Sequence, residues 1–386
     1  MVLVLLNLLK VMSSYINNKL ECLVVFFSIA VSSLALEFHL FNWYMELSFA
    51  GFFLLMFYAF TRNSQIKLIR IEIDIYWLLL FCFSFSGMFF SVFNIDYIYF
   101  LKFILVTLVF YVCFILYHTK KDKLLFYVFL SFSASCALIS ILLEIFKGSF
   151  MYWDFTFARN ASIFFDPNYA SAIFSTSIML TFILINKFIL KLMLGLLYLV
   201  AIIFTYSKAG VLAFVFGFCG YLYYRYSYKS IVYLVLFIIL LVLCFKFIDV
   251  DISMFRVEQG ANFRDEYFYL VIDYVYNQNN FFGGGYETIG KLIKNAGYAN
   301  SSTHNYYLDL LIANSVLTFI FLIPIISVVI VLGIKKRSMY FPVFITLFIL
   351  SNTISISIGG IGILSFIFSY SIIDILYGDS YDSKRV

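Results

Sequence analysis

The sequence predicts an all-α polytopic membrane protein with about twelve transmembrane helices. Three observations lead to this fold class. The chain is 64% hydrophobic and only 12% charged, whereas soluble domains are about one-quarter charged. Its mean hydropathy is +1.00, so its surface needs lipid rather than water as a solvent. Its apolar runs have the length of a bilayer span, and basic residues separate them in a regular alternation.

The apolar runs define the expected spans, with boundaries good to a few residues. No internal repeat or separate soluble domain interrupts them, so residues 1–386 are expected to form a single membrane domain. The predicted spans cover residues 20–37, 41–61, 74–93, 97–117, 124–146, 169–186, 190–206, 209–224, 230–248, 304–334, 339–357 and 362–377.

The basic residues predict the topology. Most of the 26 Lys and Arg residues fall in short segments on one side, which the positive-inside rule assigns to the cytoplasm together with both termini. Two longer segments then lie outside: residues 147–168 and residues 249–303. The second contains the apolar periodicity "YFYLVIDYVY", which predicts that part of this large outer loop is a helix lying at the membrane interface.

Composition also excludes several classes of protein. The net charge of +5 is spread in short groups between apolar runs, so nucleic acid is not an expected partner. All six cysteines lie inside apolar runs, which argues against a disulfide framework. Because the chain lacks CxxC and HExxH patterns and any carboxylate-rich cluster, we expect no metal site and no cofactor.

A small set of cations lies in the predicted outer segments, where positive charge runs against the topology bias. One interpretation is contact with lipid headgroups or with neighbouring acidic residues. The other is a site for a pyrophosphate, since arginine forks bind phosphate oxygens in a bidentate manner and several can converge on one cavity. The set is Arg159, Lys208, Arg256, Arg264, Lys291 and Lys294.

Two turns in the outer segments have both a structural and a functional interpretation. In "FFDPN", residues 164–168, Pro167 opens a span and either Asp166 or Asn168 can cap it. In "NNFFGGGYE", residues 279–287, the glycines Gly283 and Gly285 predict either a flexible turn or a close approach to a ligand. In the second case, backbone amides would face an anion.

His304 opens the tenth predicted span, in "STHNYYLDLL". A histidine at a helix start is often a capping or interface residue. However, its unperturbed pKa near 6.5 also suits proton transfer at neutral pH. Asp309 follows five residues later and does not share the same helical face. It would therefore orient His304 only through an intermediary or a local distortion.

These patterns, in this order, resemble those of the O-antigen polymerase and O-antigen ligase superfamily of bacterial membrane glycosyltransferases. Each pattern is short, but their order, spacing and outer location together are characteristic, and they cover residues 155–330. Three positions depart from the family: Lys208 stands where Arg is usual, Ala313 where Glu is frequent and Ser315 where Gly is frequent. The matching segments are "RNASIFFDPNYASAIF" (159–174), "TYSKAG" (205–210), "FRDEYFYLVIDYVYNQNNFFGGGYE" (263–287) and "STHNYYLDLLIANSVLTFIF" (301–320).

The resemblance implies a GT-C-like, metal-independent enzyme of the bacterial inner membrane with its active site on the outer face. Its substrate would be a glycan linked to undecaprenyl pyrophosphate, held among membrane lipids, and a chain-length regulator protein would be a partner. Arg159 and Arg264 would neutralise the departing pyrophosphate with help from Arg256 and Lys208, and His304 would accept a proton or position the attacking hydroxyl. The remaining substrate-binding candidates are Asn168, Gly283, Gly285 and Asn305.

The resemblance favours a polymerase of O-antigen or capsule, which extends the glycan on a new lipid-linked repeat unit. A ligase that transfers the glycan to lipid A–core remains an alternative. A polysaccharide flippase or other transporter is a third interpretation, because a chain with about twelve spans suits one. The large outer loop and the outer location of the candidate cations argue against it.

Overall fold

A computed structural model describes most of the chain between residues 19 and 378. Within this part the fold is all-helical and contains no strand. Five helices are long and apolar enough to cross a membrane, so this is a helical membrane protein. The residues described are 19–34, 44–61, 74–120, 122–146, 160–164, 166–229, 232, 264–298, 303–354, 356–360 and 362–378.

The described helices are named here in chain order. They are α1 (Lys19–Leu34), α2 (Tyr44–Thr61), α3 (Ile75–Phe93), α4 (Tyr97–Thr119), α5 (Asp122–Ile145), α6 (Pro167–Leu184), α7 (Phe188–Phe204), α8 (Lys208–Tyr226), α9 (Arg264–Ile272), α10 (Tyr286–Asn295), α11 (Tyr306–Ala313), α12 (Val316–Lys336), α13 (Phe341–Ser351) and α14 (Ile363–Tyr377). A π-helical turn, Asp273–Asn277, continues α9.

The five helices that satisfy the length and hydropathy of a span are α3, most of α4, α5, α6 and α12. Shorter apolar helices are Ala50–Ala59 within α2, and α7, α13 and α14. One face of α3 exposes Phe81, Phe85 and Phe89, one turn apart, which is the surface expected of a helix that faces lipid. The number of twelve spans stays a prediction, and residues 233–248 of the ninth lie outside the described part.

Most described helix boundaries agree with the predicted spans to within a few residues, but the tenth span differs. Residues 304–334 were expected to be one helix, and they form two, α11 and α12, separated at Asn314. Asn314 is completely buried, and its side-chain amide donates to the Gly87 carbonyl (3.0 Å) and to Ser91 Oγ (3.1 Å) of α3. Ser315 then caps α12 by accepting from the Thr318 amide.

The break exposes backbone groups that have no partner within either helix, and the glycine-rich turn supplies those partners. Gly284 and Gly285 donate their amides to the carbonyls of Ile312 and Ala313, at 3.0 and 2.9 Å. In return, the Phe281 carbonyl accepts from the Val316 amide (3.0 Å). The break in the predicted tenth span and the glycine-rich turn of the outer loop are therefore one structural unit.

The outer segment is also held on the turn between α3 and α4. Asp96 accepts from the Tyr99 amide of α4 and from the Tyr286 amide of α10, so one carboxylate caps two helices. Asn94 donates to the Phe282 carbonyl (2.8 Å). The Phe282 ring stacks on Phe90 of α3, with ring centroids 5.6 Å apart.

Helices α6, α8 and α13 form a tight group because small residues let their backbones approach. A Cβ added to Gly210 of α8 would lie 2.4 Å from the Ser171 Cβ of α6. One added to Gly217 would lie 2.0 Å from Thr346 Oγ1 of α13 and 3.1 Å from the Met179 sulfur of α6. Gly210 lies against Ser171, and the later Gly217 lies against the later Met179, so α6 and α8 run parallel to each other. Close packing at small residues is common in membrane bundles.

We expect Asn314→Ala to destabilise the protein by about 2 kcal/mol or more, because it removes three buried hydrogen bonds of the Asn314 side chain, to the Gly87 carbonyl, Ser91 Oγ and Thr318 Oγ1. Alkylation of the buried thiols Cys113 and Cys136 during heating of the detergent-purified protein reports the loss of structure. The unfolding midpoint should fall by several degrees.

The control is Asn352→Ala, which removes only a bond to the Phe348 carbonyl within one helical turn at a half-buried position. It should cost less than about 1 kcal/mol. Equal midpoints for the two variants would show that Asn314 does not hold the break against α3.

Candidate functional site

Four segments that the sequence analysis selected begin or end at one end of the helix bundle. Helices α6 and α8 both start there, as the Gly210–Ser171 and Gly217–Met179 contacts require. Helix α13 runs antiparallel to them, since Gly217 and Gly220 lie against Thr346 and Pro342, so it ends there. Ser351, the last residue of α13, donates to the Tyr307 hydroxyl near the start of α11 (2.9 Å). The four candidate segments are thus brought to the same end.

The first corner joins the "DPN" turn to the "TYSKAG" turn. Asp166 caps α6 by accepting from the Asn168 amide (2.8 Å), which confirms one of the two predicted caps. Asn168 uses its side-chain oxygen differently, accepting from the Ser207 hydroxyl (2.9 Å). Ser207 in turn caps α8 through the Gly210 amide. Residues 39 positions apart in the chain therefore share one hydrogen bond at this corner.

Lys208 is the first residue of α8 and is half-buried. The preceding Tyr206 has a left-handed backbone, with φ of 49°. A cation at the first position of a helix is disfavoured by the helix dipole, which favours anions there. The cap of α8 at this corner is Ser207.

The turn before α11 presents His304 on the surface. His304 is exposed and has a left-handed backbone, with φ of 55°. The cap of α11 is Asn305, whose side chain accepts from the amides of Tyr307 and Leu308. The capping interpretation of His304 therefore does not hold, and Asn305 has a structural task that its predicted substrate-binding role did not include.

Thr303 is the intermediary between Asp309 and the His304 turn. The Asp309 carboxylate accepts from the Thr303 amide (3.0 Å) and hydroxyl (2.8 Å), and Thr303 Oγ1 also accepts from the Asn305 amide (3.2 Å). Both Thr303 and Asp309 are buried, at 1% and 7% exposure. Asp309 thus determines the backbone on both sides of His304.

The glycines of the outer turn do approach a neighbouring backbone closely, but the neighbour is the protein itself. A Cβ on Gly283 would lie 2.0 Å from the Asn314 carbonyl oxygen, and one on Gly285 would lie 3.2 Å from the Asp96 carboxylate. The amides of Gly283, Gly284 and Gly285 all donate to carbonyl groups. The interpretation in which these amides face an anion therefore does not agree with the structure.

The remaining cations of the predicted pyrophosphate site differ in where the structure places them. Arg159 and Arg256 lie outside the described residues. Arg264 begins α9, and its side chain is also outside what the structure describes. Lys291 forms an exposed ion pair with Glu287 (2.9 Å), which lowers the pKa of the Glu287 carboxyl, so the local-pair interpretation holds for Lys291. Lys294, at the end of α10, is exposed.

Sequence reasoning missed a second group of residues beside Asp309. The Lys102 ammonium of α4 lies 4.5 Å from the centre of the Tyr99 ring and 5.6 Å from that of Tyr306. It is within electrostatic range of Asp309 and Asp96. The available signal was Lys102 itself, because an ionisable residue inside an apolar run is costly and is often functional.

Comparison of the chain with family models, with curated protein sequences and with solved structures found no match.

We expect Gly283→Ala to destabilise the protein strongly, because its Cβ would collide with the Asn314 backbone. Gly297→Ala is a matched control, since Gly297 also has positive φ (88°) but has no atom within 4 Å of an added Cβ. Both variants carry the cost of about 1 kcal/mol for a left-handed alanine. The unfolding midpoint of Gly283→Ala should therefore lie several degrees below that of Gly297→Ala. Similar midpoints would show that the glycine-rich turn and the helix break do not form one structural unit.

We expect Ser207→Ala to cost about 1–2 kcal/mol, because it removes both the cap of α8 and the buried bond to Asn168. The control Ser135→Ala removes only an exposed bond to the Ser131 carbonyl one turn away. Thermal midpoints of the two purified variants measure the difference. If Ser207→Ala is as stable as the control, the corner does not depend on this contact.

Proposed function

We propose that this protein is a membrane glycosyltransferase that polymerises O-antigen or capsule repeat units. It would transfer a growing glycan from undecaprenyl pyrophosphate onto a new lipid-linked repeat unit. In this proposal the protein has about twelve spans in a GT-C-like arrangement within the bacterial inner membrane, with both termini cytoplasmic and the site on the outer face. A chain-length regulator protein is the proposed partner.

The observation that carries the proposal is the pairing of the four segments that resemble the family. The first and second meet through Asn168 and Ser207. The third and fourth meet through Gly284, Gly285 and the end of α11. Segments separated by up to about 140 residues thus assemble at one end of a membrane bundle, which is how an active site is built from distant parts of a chain.

The backbone of these segments gives a second line of support. Eight described residues other than glycine have positive φ, and four of them fall one in each segment: Ser162, Tyr206, Asn279 and His304. Left-handed conformations cost free energy in residues with a side chain and cluster at functional sites. The arrangement is therefore more typical of a working site than of simple connections between helices.

The proposed reaction needs few groups. The acceptor hydroxyl oxygen attacks the anomeric carbon of the donor sugar, and the bond from that carbon to the pyrophosphate oxygen breaks. Undecaprenyl pyrophosphate leaves with the bonding electrons, and Arg159 and Arg264, assisted by Arg256 and Lys208, would neutralise its charge. His304 would take the hydroxyl proton or position the hydroxyl. Its exposure suits either role.

The most informative experiment gives the purified protein a single substrate, a lipid-linked repeat unit, and measures chain length by gel electrophoresis. We expect elongation without any other acceptor. Product only after lipid A–core is added would replace the proposal by a ligase. Transport of the lipid-linked unit across vesicles with no new glycosidic bond would replace it by a flippase.

We expect His304→Ala and Arg264→Ala each to abolish long-chain glycan while the protein remains inserted in the membrane. His118→Ala and Arg225→Ala are the matched controls, since both residues lie near the other end of the bundle, in the last turns of α4 and α8. They should leave chain length unchanged. Normal chain length in both test variants would reject the site assignment.

A further inference from the structure

Lys102 has surroundings that are both aromatic and acidic. It lies on the second turn of α4, with its ammonium over the rings of Tyr99 and Tyr306 at 4.5 and 5.6 Å. Its charge is also within electrostatic range of Asp309 and Asp96. Contacts between an ammonium and aromatic faces stabilise the charge, but they do not replace an anionic partner.

Asp309 needs a counter-charge. Its carboxylate is buried, and Oδ1 accepts from both the Thr303 amide and the Thr303 hydroxyl. A buried carboxylate is costly unless it is both hydrogen-bonded and paired with a cation. Thr303 provides the hydrogen bonds. Lys102 is a cation within electrostatic range, and its ammonium lies 5.6 Å from the ring of Tyr306 in the same helix as Asp309.

The turn that Asp309 holds has a left-handed residue at its centre. His304 has φ of 55°, a conformation that is uncommon for residues other than glycine, although histidine adopts it more often than most. Thr303 on one side is fixed by Asp309, and Asn305 on the other donates its amide to Thr303 Oγ1. The constraint on His304 is therefore transmitted from Asp309 through Thr303.

We propose that Lys102 is a positioning residue for His304: its ammonium pairs with the Asp309 carboxylate, which fixes Thr303 and so imposes the left-handed turn that presents the imidazole. The catalytic consequence rests on the function proposed above, whereas the structural consequence does not. Lys102 joins α4 to the His304 turn, while Asp96 joins the same end of α4 to the glycine-rich turn.

The alternative role for Lys102, direct binding of the donor pyrophosphate, fits the local charge less well. Two carboxylates, Asp96 and Asp309, lie within electrostatic range of this ammonium. Their negative charge disfavours an anionic ligand beside it. Lys102 thus acts on the protein's own carboxylates, unlike the cations assigned to the donor.

The chain contains three histidines, so selective ¹⁵N-histidine labelling gives three backbone amide resonances, assigned by His39→Asn and His118→Asn. The purified full-length protein is compared as wild type, Lys102→Met and Lys102→Arg. In Lys102→Met the His304 amide should shift and broaden, while the His118 amide, on the same helix as Lys102, stays in place. Lys102→Arg keeps the charge and should restore the wild-type spectrum.

An unchanged His304 resonance in Lys102→Met would overturn the proposal. If Lys102→Met does not fold, Thr303→Val provides the same test, because it removes the Oγ1 bond while keeping the shape of the side chain. It should shift the His304 amide as well, and an unshifted resonance would count equally against the proposal.

The polymerisation assay supplies the catalytic readout. We expect Lys102→Met to lower kcat at least about tenfold with little change in KM, because a misplaced reacting group loses rate more than binding. Lys102→Arg should recover most of kcat. A Lys102→Met enzyme with raised KM and unchanged kcat would indicate donor binding and overturn the positioning role. A shifted His304 amide together with a fully active His304→Ala would instead reject the catalytic role of His304 and leave the structural link intact, whereas absence of elongation by the wild-type protein would reject the proposed function.

Discussion

Backbone groups that leave a helix inside an apolar bundle must find partners within the protein, and the rest of this structure depends on how that constraint is met at Asn314. The break between α11 and α12 is closed by the glycine-rich turn, which exchanges hydrogen bonds with Ile312, Ala313 and Val316. Asn314 itself is anchored to α3. The glycine-rich turn and three helices are thus joined by one set of polar contacts.

The same constraint organises the opposite end of the bundle, where the predicted cytoplasmic cations are found. Lys336 donates to the carbonyls of Ile375, Leu376 and Gly378, which are the unpaired groups at the end of α14. Arg337 donates to the Tyr224 carbonyl at the end of α8 (2.8 Å). These cations have a structural task in addition to any influence on topology.

Helix positions were largely predictable from the sequence, because apolar length and flanking charge determine them locally. The break at Asn314 was not predicted, since it depends on the partners that Gly87 and Ser91 offer from a distant helix. The run of glycines predicted a close approach of the backbone to another group. The sequence did not show that this group is the backbone at the end of α11. Asn168 could be selected as a candidate from the sequence, whereas its contact with Ser207 depends on the parallel packing of α6 and α8.

Lys102 shows the same limit for the site. Its cost inside an apolar run was visible in the sequence, but its relation to Asp309 and His304 arises from the packing of α4 beside α11. From the sequence, His304 and Asp309 were expected on different faces of one helix, because the helix was assumed to begin at His304. The residues before Tyr306 form a turn instead, and within this turn Thr303 connects Asp309 to the backbone beside His304.

The central claim is that the four segments form one site for a lipid-linked pyrophosphate glycan. The most direct measurement is photocrosslinking of the membrane-embedded protein with a repeat-unit analogue that carries a photoreactive group beside its pyrophosphate. The labelled peptides are then mapped by mass spectrometry. Label in residues 159–174, 205–210 and 263–310 is the predicted result. Label confined to the exposed face of α3, around Phe81 and Phe89, or spread over all helices, would contradict the claim.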